Sequence, residues 1–107
     1  MNKRNTIVYI SGKYSGDINK NIKTARKYAI KIWESGRTVL TPHLNTYHFE
    51  RDCKCTYKDY IKGDLVMLNR CDIIFMLPDW EESKGAIIER KFAMRNKIRI
   101  VYKIEDL

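Results

Sequence analysis

Apolar residues along this chain fall into short unbroken runs that alternate with stretches of helical spacing. Residues 6–11, TIVYIS, are β-branched and aromatic and predict a buried strand. Residues 12–16 form a Gly- and Ser-rich turn, and Asp17 is placed to cap a helix. Over residues 18–35, Ile18, Ile22, Ala25, Ala29, Ile32 and Trp33 recur at helical spacing, with Gly36 where a helix-ending glycine belongs. A second strand is predicted at 38–41. Residues 42–55 show no period and read as irregular. Thr56 is placed to cap a second helix over 57–69, with a seam of Tyr57, Tyr60, Ile61, Leu65 and Leu68. Residues 72–77 are apolar enough for a strand buried on both faces. A loop at 78–82 leads to Ser83, the expected cap of a third helix reaching Asn96, and a fourth strand follows at 98–102.

Strand and helix alternate throughout, which implies parallel strands joined by right-handed crossovers. The expectation is one α/β domain over residues 1–107. It is a three-layer, flavodoxin- or Rossmann-like parallel sheet of about four to five strands in the order 2-1-3-4. In such sheets ligands bind beyond the carboxyl ends of the strands, where the strand order reverses. The loops SGKYSG and PDWEESKG should meet there.

Two acids break the apolar pattern near that edge. The helical neighbours of Glu89 are Gly85, Ala86, Phe92 and Ala93, and those of Asp64 are Tyr60, Ile61, Met67 and Leu68. Burying a carboxylate costs several kcal/mol unless it is paired, so each needs a partner or a purpose. A structural ion pair would account for one such acid. Two, on helices flanking the predicted crevice, favour function. Ser83, Lys84 and Gly85 open one helix, and Ser11, Gly12, Lys13 and Ser15 precede another, so each turn offers N–H groups to an anion. Neither is a Walker loop or a dinucleotide fingerprint. His43 ends the second strand and belongs at the same edge, as a ligand contact or a structural histidine. With His48, Cys53 and Cys55 it invites a zinc reading, but the spacing fits no standard finger, and neither metal nor cofactor is expected.

Charge and cysteine content narrow the class. The formal charge of +8 favours anionic partners, but the Lys and Arg residues are scattered along helix faces. Polynucleotide binding is therefore not expected. Three cysteines make no disulfide framework. No apolar run is long enough to span a membrane, and MNKRNTIVYIS has no secretory-leader pattern, so a cytoplasmic protein is expected.

These residues together resemble the nucleoside 2-deoxyribosyltransferase superfamily, which includes the nucleoside 5'-monophosphate N-glycosidases, in the small form frequent in phages and bacteria. The motif Tyr9-Ile10-Ser11-Gly12-Lys13-Tyr14 is similar to the family's first strand and turn, with Lys13 where Pro is usual. Leu40-Thr41-Pro42-His43 resembles the end of its second strand, and Gly63-Asp64-Leu65 with Cys71-Asp72 its Asp-containing signatures. Ser83-x-Gly85-x3-Glu89 resembles its nucleophile motif and is the most specific of the four.

The resemblance implies that Glu89 attacks C1' of a sugar, that Asp64 assists by proton transfer or by holding a hydroxyl, and that Tyr9 lies beside both sugar and Glu89. It places Ser83, Gly85, Gly12 and Lys13 at the 5' end, and treats Asp72 as structural. The expected activity is cleavage of the N-glycosidic bond of a (deoxy)nucleoside 5'-monophosphate or related nucleotide, by hydrolysis rather than transfer. A binding protein that sequesters a nucleotide or nucleotide-derived signal is the alternative. The contacts expected for the ligand are Ser11, Gly12, Lys13, Tyr14, His43, Ser83, Lys84 and Gly85. A homo-oligomer is expected, because Ile87 and Met94 share an outward face with Arg90 and Lys91.

Overall fold

The computed structural model describes residues 3–107; the first two positions of the expected domain lie outside the described residues. Four strands, β1 (Ile7–Ser11), β2 (Thr38–Leu40), β3 (Ile73–Met76) and β4 (Arg99–Val101), form one parallel sheet in the order β2-β1-β3-β4. Tyr9 pairs with Leu40 on one side and Ile74 on the other. Four helices connect and cover the strands: α1 (Ile18–Glu34), α2 (Pro42–Asn45), α3 (Tyr57–Leu68) and α4 (Lys84–Arg95).

The alternation of side chains along a strand divides the core in two. Val8, Ile10, Ile73 and Phe75 pack with Ala25 and Ile32 of α1 on one face. Tyr9, Ile74 and Met76 pack with Leu68 of α3 and with Ala86 and Ala93 of α4 on the other. Tyr9 and Ser11 are two residues apart and therefore point together toward α3 and α4. The base of β1 is fixed by Asp72, which accepts from the Ile7 N–H at 2.9 Å and donates its own N–H to the Ile7 carbonyl at 3.0 Å. Asp72 thus closes the end of the sheet opposite the carboxyl ends of the strands.

The helix starts follow their caps. Asp17 accepts from the Lys20 N–H at 3.2 Å. Thr56 and Asp59 form a reciprocal capping box. Ser83 Oγ accepts from the Ala86 N–H at 3.1 Å. Gly36, at φ +100°, ends α1 in a backbone conformation that other residues enter at a cost.

Three expectations are corrected. Residues 42–55 are not wholly irregular: Pro42 opens the single turn of α2, and Phe49–Arg51 form a 3-10 turn. These pieces are too short to print a period on the sequence. Trp33 is not core but 43% exposed. It lies one position beyond Ile32, rotated roughly 100° off the buried arc, and stacks under the Arg4 guanidinium at 5.2 Å. Tyr57 leaves the predicted α3 seam and is 58% exposed, because it faces a cavity instead of the sheet. Among the described residues, no helix is long and apolar enough to cross a membrane.

Candidate functional site

A cavity of about 540 Å³ opens at the carboxyl ends of β1 and β2, against α3 and the start of α4. That volume suits a ligand of nucleotide size. Its wall includes Tyr9, Tyr14, His43, Tyr57, Asp64 and Glu89.

Glu89 is the centre of the arrangement. It lies on the inward face of α4 and is only 6% exposed. Both carboxyl oxygens accept hydrogen bonds from β1: the Tyr9 hydroxyl donates to Oε2 at 2.8 Å, and the Ser11 hydroxyl donates to Oε1 at 2.6 Å. Burial pushes the Glu89 carboxyl up to about 7, against the opposing pull of Ser11 and Tyr9, and the negative charge of Asp64 adds to the rise. Burial likewise raises the Tyr9 phenol well above its ordinary value, with the Glu89 charge second, so Tyr9 stays a neutral donor. The result is a carboxylate whose orientation is fixed from behind while its environment resists ionisation.

Asp64, on α3, is half-buried, and among the described residues no hydrogen bond or ion pair holds its carboxyl. Desolvation alone raises it to about 6. Tyr57 senses both acids: burial raises its phenol, and the charges of Glu89 and Asp64 add to the effect. Gly85 allows this convergence. A Cβ there would stand 3.2 Å from Ile61 Cδ1 and 3.3 Å from the Tyr57 hydroxyl, so glycine lets α3 and α4 approach.

His43 does not end the second strand but lies in α2, 6% exposed, with Nε2 3.1 Å from the Lys13 carbonyl. A carbonyl only accepts, so Nε2 carries the proton and Nδ1 of the neutral ring is an acceptor. Burial lowers the His43 pKa and keeps the ring neutral. Nδ1 is buried with no partner among the described residues, while the ring borders the cavity.

The remaining expected contacts divide. Tyr14, Ser83, Lys84 and Gly85 line the cavity. Ser11 is fully buried behind Glu89 and acts on it, not on the cavity directly. Gly12 packs on Leu77, where a Cβ would meet Leu77 Cδ1 at 2.5 Å. Lys13 reaches across to Glu82 at 3.5 Å, tying the loop after β1 to the loop after β3. His43, His48, Cys53 and Cys55 do not gather: among the described residues, no three His, Cys, Asp or Glu side chains converge on a metal-sized point.

Sequence reasoning missed Glu50 and Asn21. The Tyr14 hydroxyl donates to Glu50, drawing residues 42–55 against the cavity wall. That hydrogen bond holds the exposed Glu50 carboxyl below its ordinary value. The buried Asn21 donates from Nδ2 to the carbonyls of Tyr14 at 3.0 Å and Ser15 at 2.9 Å, which shapes the turn that presents Tyr14. A polar Asn on the buried arc of α1 was the signal available for this contact.

The parallel sheet of order 2-1-3-4, with its flanking helices, has the fold of a solved 2-deoxyribosyltransferase. A 2-deoxyribosyltransferase from the psychrotolerant bacterium Bacillus psychrosaccharolyticus superposes with a TM-score of 0.70, at 17% sequence identity, over 89% of this chain and 69% of that one. The chain belongs to the family described as a domain of unknown function, DUF4406, which it matches over residues 6–102. No curated protein sequence matches it.

Proposed function

We propose that this chain cleaves the N-glycosidic bond of a nucleoside 5'-monophosphate, with Glu89 as nucleophile and water as acceptor. One observation carries the reading: a buried carboxylate is held at both oxygens by Tyr9 and Ser11, in the wall of a nucleotide-sized cavity that also contains Asp64. The similarity to a protein named a 2-deoxyribosyltransferase supports the same bond as the reacting one.

In this reading the bond from C1' to the base nitrogen breaks as positive charge develops on the sugar ring. Ionised Glu89 stabilises that charge and closes on C1', and the base leaves with the bonding electrons and takes a proton from water. Attack of water at C1' then restores the carboxylate. Tyr9 and Ser11 donate to Glu89 throughout and keep its oxygens aimed. Asp64 lines the same cavity, and among the described residues no hydrogen bond holds its carboxyl, so its role is to accept from a sugar hydroxyl. The phosphate lies at Lys84 and the first N–H groups of α4, which have no partner within the helix.

A second reading is sequestration of a nucleotide without turnover. It is favoured by the Glu89 value of about 7, which leaves much of the carboxyl protonated and non-nucleophilic at neutral pH. Incubation with a panel of nucleosides and nucleotides, with free base followed by chromatography and binding by calorimetry, separates the two. Base release that Glu89→Gln abolishes supports the enzyme. Tight binding with no base released from any member supports sequestration.

A further inference from the structure

Cys53 and Cys55 take no part in the chemistry above, yet they stand at its edge. Cys55 lines the cavity immediately before Thr56, the cap of α3. Two residues earlier, the Cys53 side chain folds forward so that the Cys55 N–H donates to Cys53 Sγ at 3.4 Å. That contact sets the Cys53 sulfur against an atom bonded directly to the Cα that carries the second thiol. Both are free thiols, Cys55 exposed and Cys53 partly exposed. Cys71 differs: it is buried, and burial pushes its thiol up to about 11.

The pair is also asymmetric. The Tyr60 hydroxyl, one turn into α3, holds the Cys53 thiol below its ordinary value, and Cys55 helps. The Cys53 sulfur in turn pushes Cys55 up. A thiol held toward thiolate attacks, and an adjacent thiol of higher pKa resolves the product. Tyr60 is itself a wall residue, and the Cys53 sulfur pushes its phenol up to about 12.

We propose that Cys53 and Cys55 form a reversible dithiol–disulfide site at the edge of the cavity, oxidised by low-molecular-weight disulfides and reduced by the corresponding thiols. The Cys53 thiolate attacks one sulfur of the small disulfide. Its S–S bond breaks, the other half leaves as a thiolate with the electron pair, and Cys53 carries a mixed disulfide. Cys55 gives up its proton to the departed thiolate, attacks the Cys53 sulfur and expels the second small thiolate, which takes a proton from water. The two cysteine thiols lose two protons and two electrons in all, and the small disulfide becomes two thiols. A bridge across the single residue Lys54 closes a very small ring, so it is strained and easily reduced, as suits a switch better than a staple. Oxidation moves Cys55, a wall residue beside the start of α3, and so changes the wall on that side.

The test uses the full chain, equilibrated with glutathione at defined ratios of reduced to oxidised form, acid-quenched, alkylated after unfolding and weighed. The expected product on the oxidising side lacks two hydrogens, resists alkylation at Cys53 and Cys55, remains alkylated at Cys71, and reverts under reduced glutathione. Cys55→Ser should instead accumulate a persistent glutathione adduct at Cys53. Cys53→Ser should form an adduct at Cys55 more slowly, because the backbone N–H that favours thiolate is donated to Cys53. A parent chain that collects glutathione adducts without closing the bridge overturns the proposal, as do equal rates for the two single variants. These readouts report thiol state alone and stand whether or not the cavity releases a base.

Discussion

Tyr9 and Glu89 lie eighty residues apart in the chain and are joined by a buried hydrogen bond of 2.8 Å. The bond links the central strand to the inward face of α4, and Ser11 repeats the link 2.6 Å from the other carboxyl oxygen. The protein therefore holds a carboxyl where burial opposes its charge and two hydroxyls support it.

This has a consequence for stability. The folded-state value for Glu89, about 7, lies above the ordinary 4.5. The protonated form is thus favoured by folding, and its contribution is complete below the unfolded value and lost as pH rises through the folded one. The difference is on the order of 3 kcal/mol. Glu89→Gln removes the charge, and either hydroxyl can turn to accept from the new amide. Its melting temperature should exceed that of the parent by a margin that grows from pH 5 to pH 8. A constant margin in thermal melts across that range would show that the carboxyl is not shifted.

Much of this site was legible in the sequence, for identifiable reasons. The two-residue period of β1 puts Tyr9 and Ser11 on one face, the helical period of α4 turns Glu89 inward, and parallel crossovers bring the two faces together. Those features come from burial, which marks a sequence periodically. The Tyr14–Glu50 bond, the Asn21 contacts and the outward turn of Tyr57 come from single polar contacts around a cavity. Such contacts leave no period, and residues 42–55 in particular contain only one-turn elements.

Ser11→Ala isolates the role of one support. The Ser11 hydroxyl is the stronger of the two hydrogen-bonding influences that lower the Glu89 pKa. Its loss leaves Oε1 buried without that donor, so the carboxyl should titrate at still higher pH. Carbon-detected NMR titration of the Glu89 carboxyl reads this directly. The upward displacement should be accompanied by a stability loss of about 1 kcal/mol at pH 8. An unmoved titration would mean that water or another donor replaces the hydroxyl.

Asp64→Asn separates charge from shape. The Asp64 charge raises the Glu89 pKa, so its removal should lower it. With Glu89 ionisation required for base release, parent activity should rise with pH through about 7. In the variant that limb should move to lower pH, while the plateau falls about tenfold or more through loss of a charged contact to the sugar. Asp64 is half-buried and makes no hydrogen bond among the described residues, so the fold should tolerate the amide. A pH–rate profile that keeps its midpoint would remove Asp64 from the electrostatics of Glu89. An unchanged plateau would remove it from the reaction.

The last prediction concerns the 5' end. Among the described residues, Glu50, Asp64, Glu82 and Glu89 line the cavity against Lys84 alone of the lysines and arginines. Lys13, the other lysine of the neighbouring loop, is engaged by Glu82. In the proposed function a phosphate is accepted where Lys84 and the α4 N-terminus act together, and Glu82 opposes it from just outside the helix. Lys84→Glu should lower kcat/KM for a nucleoside 5'-monophosphate by about tenfold or more while leaving the unphosphorylated nucleoside nearly unaffected. Glu82→Gln should act in the opposite direction on the nucleotide, by removing a negative charge and releasing Lys13. Because Lys84 and Glu82 are exposed, both effects should shrink as salt is raised. Equal changes for nucleoside and nucleotide in the Lys84 variant would place the phosphate elsewhere, and a parent that prefers the nucleoside would make the uncharged compound the substrate.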